Sequence, residues 1–273
     1  MGSTLVNGTP SDRIDILDRG FQYGDGLFET IKLADGVLEF WSRHMARLLA
    51  GCARLRIPAP DSALLRSEAQ KLCAGTGRGI IKILVTRGSG GRGYRPPEPA
   101  KPNRIVAFFP APDYPESFTA EGVRIRFCQT RLSDQPLLAG LKHLNRLEQV
   151  LARGEWSDDG IQEGLMLDSQ ESVIEGTMTN LFIARDGILH TPDLSRSGVA
   201  GVLRGVVMDL ARYLNIKTSV GRIGRSELSA ADEVFLTNSI IGIWPVREID
   251  GRTYSLGPIT GKMNAALAKS AKD

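Results

Sequence analysis

The sequence predicts an α/β protein of the α+β type, with two mixed domains joined by a short proline-rich linker. Three observations carry this. Strand-like and helix-like periodicities are mixed in both halves of the 273-residue chain. Asp-Gly pairs between apolar runs mark tight hairpins, which argue against a doubly wound sheet. Pro110, Pro112 and Pro115 fall within six residues and stiffen a stretch that cannot serve in a sheet interior. We place a first domain at residues 1–110, the linker at 111–117 and a second domain at 118–273.

The elements follow in order. Phe28–Leu33 and Val37–Phe40 flank Ala34-Asp35-Gly36, a hairpin turn, because Asp and Gly both tolerate positive φ. Met45, Leu48, Leu49, Cys52 and Leu55 recur at steps of three and four, one face of a helix. Asp61 can cap a second helix with the stripe Leu64, Leu65, Leu72 and Cys73. Gly79–Thr86 and Arg104–Phe109 read as buried strands. After the linker, Val123, Ile125 and Phe127 alternate with Arg124, Arg126 and Cys128, a half-buried strand. A helix near Asn145–Gly154 precedes strands near Gly164–Asp168 and Asn180–Ala184, and Asp186-Gly187 makes another turn. A helix over Val202–Tyr213, strands near Lys217–Val220 and Glu233–Leu236, and a helix over Ile259–Lys269 complete the chain.

Composition sets loose bounds. Apolar content of 42% and charged content of 24% are those of an ordinary globular protein. A net charge of +3 does not point to a nucleic-acid surface. Cys52, Cys73 and Cys128 are odd in number and form no CxxC pair, so neither a disulfide framework nor a zinc site is expected, and a reducing cytoplasm fits better. Residues 1–20 hold no apolar core of signal-peptide type, and no apolar run reaches membrane-spanning length. His44, His143 and His190 lack metal-ligand spacing, so no metal is expected. Trp41, Trp156 and Trp244 are expected in the core or an interface.

Gly88-Ser89-Gly90-Gly91-Arg92-Gly93 matches the dinucleotide pattern G-x-G-x-x-G after a strand. That fold needs a helix to begin there, and Tyr94-Arg95-Pro96-Pro97-Glu98-Pro99 forbids one. A mobile loop presenting Arg92 and Tyr94 is the better reading, and such loops often supply substrate contacts.

Four other segments carry chemistry. They are Lys142-His143-Leu144-Asn145-Arg146-Leu147-Glu148-Gln149, Val173-Ile174-Glu175-Gly176-Thr177-Met178-Thr179-Asn180, Gly198-Val199-Ala200-Gly201-Val202-Leu203-Arg204 and Leu236-Thr237-Asn238-Ser239. A lysine, an acid, a glycine turn opening a helix and a small hydroxyl, in that order, suit pyridoxal 5'-phosphate (PLP). The lysine would hold the aldehyde, the acid would pair with the pyridine nitrogen, and turn and hydroxyl would take the phosphate.

With these segments, Asp18-Arg19-Gly20-Phe21-Gln22-Tyr23-Gly24-Asp25-Gly26 and Pro245-Val246, the chain resembles the fold-type IV PLP enzymes nearly end to end. That group contains branched-chain aminotransferases, D-amino-acid transaminases and 4-amino-4-deoxychorismate lyases. Arg87-Gly88-Ser89-Gly90-Gly91-Arg92-Gly93-Tyr94 and Leu138–Val150 are most similar to the lyase branch. Branched-chain aminotransferases carry a tyrosine shortly after the lysine, where this chain has Arg146 and Leu147.

The resemblance implies that Lys142 is the Schiff-base lysine and general acid/base, and that Glu175 pairs with the pyridine nitrogen. It implies phosphate contacts from Arg47, from the backbone of Val202 and Leu203, and from Ser239, with Asn238 at the phosphate or the substrate. Thr30, Arg92 and Tyr94 are the candidates for substrate, with arginine suited to carboxylates by its two-pronged donor edge. The implied reaction is conversion of 4-amino-4-deoxychorismate to 4-aminobenzoate and pyruvate, toward folate. A D-amino-acid or branched-chain transaminase on the same scaffold is the alternative. A homodimer is also implied, with Arg92 or Tyr94 acting across it.

Overall fold

A computed structural model describes residues 4–270; the first three and last three residues, including the start of the stretch read for a leader, lie outside the described residues. The chain forms two compact units. One is the chain up to Asp113 together with Leu141–Asn145; the other is Tyr114–Gly140 and the chain from Arg146 onward. The lysine-bearing segment thus belongs to the first unit, although it follows the linker in sequence.

The first unit contains β1 (Thr4–Val6), β2 (Thr9–Pro10), α1 (Arg19–Tyr23), β3 (Gly26–Ala34), β4 (Val37–Leu38), α2 (Trp41–Leu55), α3 (Ser62–Cys73), β5 (Gly79–Thr86) and β6 (Asn103–Phe109). Its six strands form an antiparallel sheet in the order β2-β1-β6-β5-β3-β4. Along β3, Leu27, Glu29, Ile31 and Leu33 are buried, while Phe28, Thr30 and Lys32 are half-buried on the other face. The β3–β4 turn has positive φ at both Asp35 and Gly36, as a two-residue hairpin requires.

Helix α2 buries Trp41, Met45, Leu48 and Cys52 and packs on β3. Asp61 caps α3 by accepting from the Ala63 amide. The apolar stripe expected on α3 is rotated: Leu64 is exposed, and the buried side is Leu65, Glu68, Ala69 and Cys73. Glu68 tolerates burial because Arg104 of β6 donates to both of its oxygens. The strands β5 and β6 are half-buried rather than buried on both faces. Between them the Gly88–Pro99 stretch opens no helix, which removes the dinucleotide reading.

The second unit contains α4 (Ser117–Ala120), β7 (Val123–Leu132), α5 (Leu147–Arg153), β8 (Glu163–Asp168), β9 (Val173–Gly176), β10 (Asn180–Arg185), β11 (Ile188–Pro192), α6 (Val202–Tyr213), β12 (Thr218–Gly221), α7 (Arg225–Ser229), β13 (Glu233–Asn238), β14 (Gly242–Ile249), β15 (Arg252–Thr253) and α8 (Pro258–Lys269). Its sheet runs β12-β11-β10-β13-β14-β7-β8-β9, and a β9–β10 pairing closes the last six strands of that path into a ring. Alternate residues of those strands, among them Ile125, Leu165, Val173, Leu181, Leu236 and Trp244, make one apolar cluster. The opposite phase, Phe182, Phe235 and Ile243, packs against Val207 and Ala211 of α6 and Met263 of α8. All three tryptophans are core residues. Tyr114 and Phe118 pack edge-on against Trp244, so the chain leaving the linker is tied to this unit's core. No helix among the described residues is long and apolar enough to cross a membrane.

Candidate active site

In the first unit, Leu141–Asn145 lies along β3. The Phe28 amide donates to the Lys142 carbonyl at 2.9 Å, and the Leu144 amide donates to the Gly26 carbonyl at 3.0 Å. Leu27 and His143 form the bridge between them. These bonds bracket His143 and fix the backbone at the carbonyl side of Lys142. Its Nζ sits 4.3 Å from the centroid of the Phe28 ring. Thr30 shares the half-buried face of β3 with Phe28. His143 therefore has a backbone role, in pairing with Leu27.

Arg47 projects from α2 onto Glu29. Its Nε donates to Oε1 at 2.8 Å and its Nη2 to Oε2 at 2.5 Å. His44, one turn earlier, places Nδ1 2.6 Å from the same Oε2. Burial pushes the Glu29 carboxyl up, but the charge of Arg47 and the hydrogen bonds from His44 and Arg47 outweigh it and hold it below the usual carboxylate range. Sequence reasoning missed Glu29. The available signal was an acid in phase with Leu27, Ile31 and Leu33 on an alternating strand.

Arg92 and Tyr94 lie on the loop after β5, with Tyr94 84% exposed. The loop has its own anchor. Buried Arg19 donates to the Gly93 carbonyl at 2.9 Å and the Tyr94 carbonyl at 3.0 Å, and Tyr23 meets the Tyr94 ring edge-on. Arg19 and Arg87 both bind Asp25. Burial raises the Asp25 carboxyl, and these two arginines more than offset it.

In the second unit, Glu175 owes its orientation to a bulge. Met166 stands opposite Glu175 while Leu167 stands opposite Val173, so Ile174 is an extra residue in β9. Val173 faces the apolar cluster; the bulge turns Glu175 to the other face, with Met166 and Asn180. There its Oε2 accepts from the Val199 amide at 2.8 Å. Asn180 donates to the Val199 carbonyl at 2.9 Å, which ties the approach to α6 to the same sheet face. Burial pulls the Arg146 guanidinium down, opposed by the charges of Glu175 and Glu148, so Arg146 lies within electrostatic reach of Glu175. Glu163, fully buried, accepts from Thr177, Met178 and Thr179 and shapes the turn that follows Glu175.

Gly201 precedes α6, which has neither a side-chain cap nor an acid in its first turn. The first helical bond runs from the Gly205 amide to the Gly201 carbonyl, so the amides of Val202, Leu203 and Arg204 precede the ladder. Their side-chain environments differ, and the valine and leucine are buried. Such a helix start suits an anion. A Cβ on Gly201 would stand 2.0 Å from Asn180 Oδ1, so glycine is required by close approach. After β13, Ser239 is half-buried. Asn238 is committed to the fold: its Oδ1 accepts from the Ile240 and Ile241 amides, and its Nδ2 donates to the Met178 carbonyl.

Each unit therefore holds part of the donor set a PLP-type cofactor needs. The first has a lysine on a fixed backbone and an oriented arginine; the second has a buried carboxylate and an uncapped helix start.

Comparison with known proteins agrees with this chemistry. The chain is 39% identical to the aminodeoxychorismate lyase of Vibrio harveyi over 262 residues, 96% of this chain and 97% of that one. It superposes on the crystal structure of 4-amino-4-deoxychorismate lyase from Pseudomonas aeruginosa with a TM-score of 0.94 at 49% identity, covering 99% of this chain and 100% of that one. The branched-chain amino acid aminotransferase of Escherichia coli shares the fold at a TM-score of 0.88 and 26% identity, covering 97% and 93% of the two chains. The family model for amino-transferase class IV matches residues 26–249. The chain belongs to the amino-transferase class IV family, with the fold-type IV architecture.

Proposed function

We propose that this protein is a PLP-dependent 4-amino-4-deoxychorismate lyase, releasing 4-aminobenzoate and pyruvate. The observation that carries the reading is the 49% identity to the Pseudomonas lyase along essentially the whole of both chains. The 26% identity to the branched-chain enzyme is much lower at similar coverage.

Bound PLP supplies an aldehyde carbon for the substrate amine and a ring that takes up electrons from a broken C–H bond. The protein's residues do the rest. Lys142 would hold the cofactor's aldehyde, and its free amine would take the proton from the amine-bearing carbon of the substrate. It returns a proton to the departing enolpyruvyl oxygen as the C–O bond breaks and the ring becomes aromatic. Glu175 would pair with the ring nitrogen, and Arg146 lies within electrostatic reach of that acid. Arg47, the Val202 and Leu203 amides and Ser239 would each offer donors to the phosphate. Asn238 shapes the turn that carries Ser239. Thr30, Arg92 and Tyr94 take the substrate's carboxylates and ether.

The enzyme works as a cytoplasmic homodimer in this reading. Leu147, Val150 and Leu151 are exposed on one face of α5 and suit burial against a second copy. The deciding experiment is incubation with 4-amino-4-deoxychorismate, assayed for 4-aminobenzoate and pyruvate in equal amounts. Absence of both products, with amino transfer to an α-keto acid instead, would move the protein to the transaminases.

A further inference from the structure

The Glu29–His44–Arg47 cluster is larger than phosphate binding by one arginine requires. Glu29 is 1% exposed and His44 fully buried, whereas the Arg47 side chain is 15% exposed. The carboxylate takes the Nε–Nη2 edge of the guanidinium, which fixes the plane of the group and the direction of its other N–H bonds. His44 holds the carboxylate through Nδ1, and its own Nε2 is buried with no hydrogen-bond partner among the described residues. A buried charge and an unsatisfied ring nitrogen both cost stability. A lysine or a solvated arginine could supply positive charge without either cost. What the cluster adds is a guanidinium held in one orientation.

We infer that Glu29, with His44 behind it, is a positioning residue that sets the protein's preference for phosphorylated over unphosphorylated pyridoxal. This rests on the reading that Arg47 takes the cofactor phosphate. Glu29 reaches no phosphate itself; it acts through Arg47, because a two-pronged donor loses most of its advantage when its plane is free to swing.

The test is a set of dissociation constants for PLP and for pyridoxal, which lacks the phosphate, measured by absorbance or tryptophan fluorescence on the cofactor-free full-length chain. Arg47→Ala should weaken PLP by about tenfold or more and leave pyridoxal unchanged. Glu29→Gln should weaken PLP by roughly tenfold, also with pyridoxal unchanged, and the double variant should be no worse than Arg47→Ala. Equal loss of both ligands in Glu29→Gln would make Glu29 merely structural and overturn the proposal. So would unchanged PLP binding, or additive losses in the double variant. Should Glu29→Gln not fold, the histidine decides. His44→Phe removes the donor and should lower the PLP preference, and His44→Asn, which can still donate to Glu29, should restore it; equal behaviour of the two overturns the proposal. A wild-type protein with no preference for PLP, or an Arg47→Ala variant that binds it normally, instead overturns the reading of Arg47, and the inference falls with it.

Discussion

Asp25→Ala should unsettle the substrate loop from below. Asp25 is shared by two arginines: Arg19 Nε reaches it at 2.9 Å, and Arg87 reaches both oxygens at 2.7 and 3.0 Å. The arginine side chains are almost entirely buried, so removing the acid leaves two cations without their counter-charge. Losing one partner of a buried pair costs about 3–5 kcal/mol, and the slight exposure of Asp25 favours roughly 3 kcal/mol. For a chain of this size that corresponds to a fall in Tm of roughly 6–12 °C. Arg19 is also the anchor of the Gly93 and Tyr94 carbonyls, so the loop should loosen well below the melting transition. Thermal denaturation with limited trypsin digestion reads both effects, since Arg92, followed by Gly93, is a tryptic site in the loop. A Tm within about 2 °C of wild type, with unaltered cleavage at Arg92, would refute the account of Arg19 and Arg87 as a shared buried network.

Lys142→Ala should leave no borohydride-fixed cofactor on the peptide spanning residues 138–150, and should lose nearly all turnover. Mass spectrometry that found the reduced adduct on another lysine of the active variant would displace Lys142 from its role. Gly201→Ala should force Asn180 away from the Val199 carbonyl, costing about 1–3 kcal/mol of stability and weakening PLP. Unchanged melting and unchanged PLP affinity would show that the α6 start absorbs a methyl group without moving Asn180.

Local periodicity made much of the fold legible. The Val202–Tyr213 helix and the Asp35-Gly36 and Asp186-Gly187 turns stand where residue type alone puts them. The failures have specific causes. On α3 the charge of Glu68 hid a core position, because its partner Arg104 is 36 residues away. Strand β14 escaped notice because Pro245 argues against a central strand, yet it stands opposite Phe235 between β13 and β7. Lys142 was legible as chemistry, but its pairing with β3 was not, since strand pairing across more than a hundred residues leaves no local trace. The bulge at Ile174 is the sharpest case. Alternation from Val173 sends Glu175 into the apolar cluster, and the extra residue reverses that. The loop after β5 was read as mobile, and Arg19 anchors it from within its own unit.

Buried carboxylates organise both units, but they respond to acid in opposite senses. In the first unit, Asp25 and Glu29 are held below the usual range by their arginines against the pull of burial. Their contribution to stability is complete above the unfolded carboxylate value of roughly 4 and is lost as pH falls through the lower folded value. In the second unit, burial raises Glu163 despite its hydroxyl and amide donors. Its contribution is complete below the unfolded value and is lost as pH rises through the raised folded value. Acid therefore removes stabilisation from the first unit while relieving the burden of a desolvated charge in the second. Hydrogen exchange near pH 3 should show amides of β3 and α2 losing protection before those of β8 and β10. Simultaneous loss, or earlier loss in β8 and β10, would mean that the donors around Glu163 keep it ionised in the folded protein and that its carboxylate stabilises the turn after Glu175 as a charge.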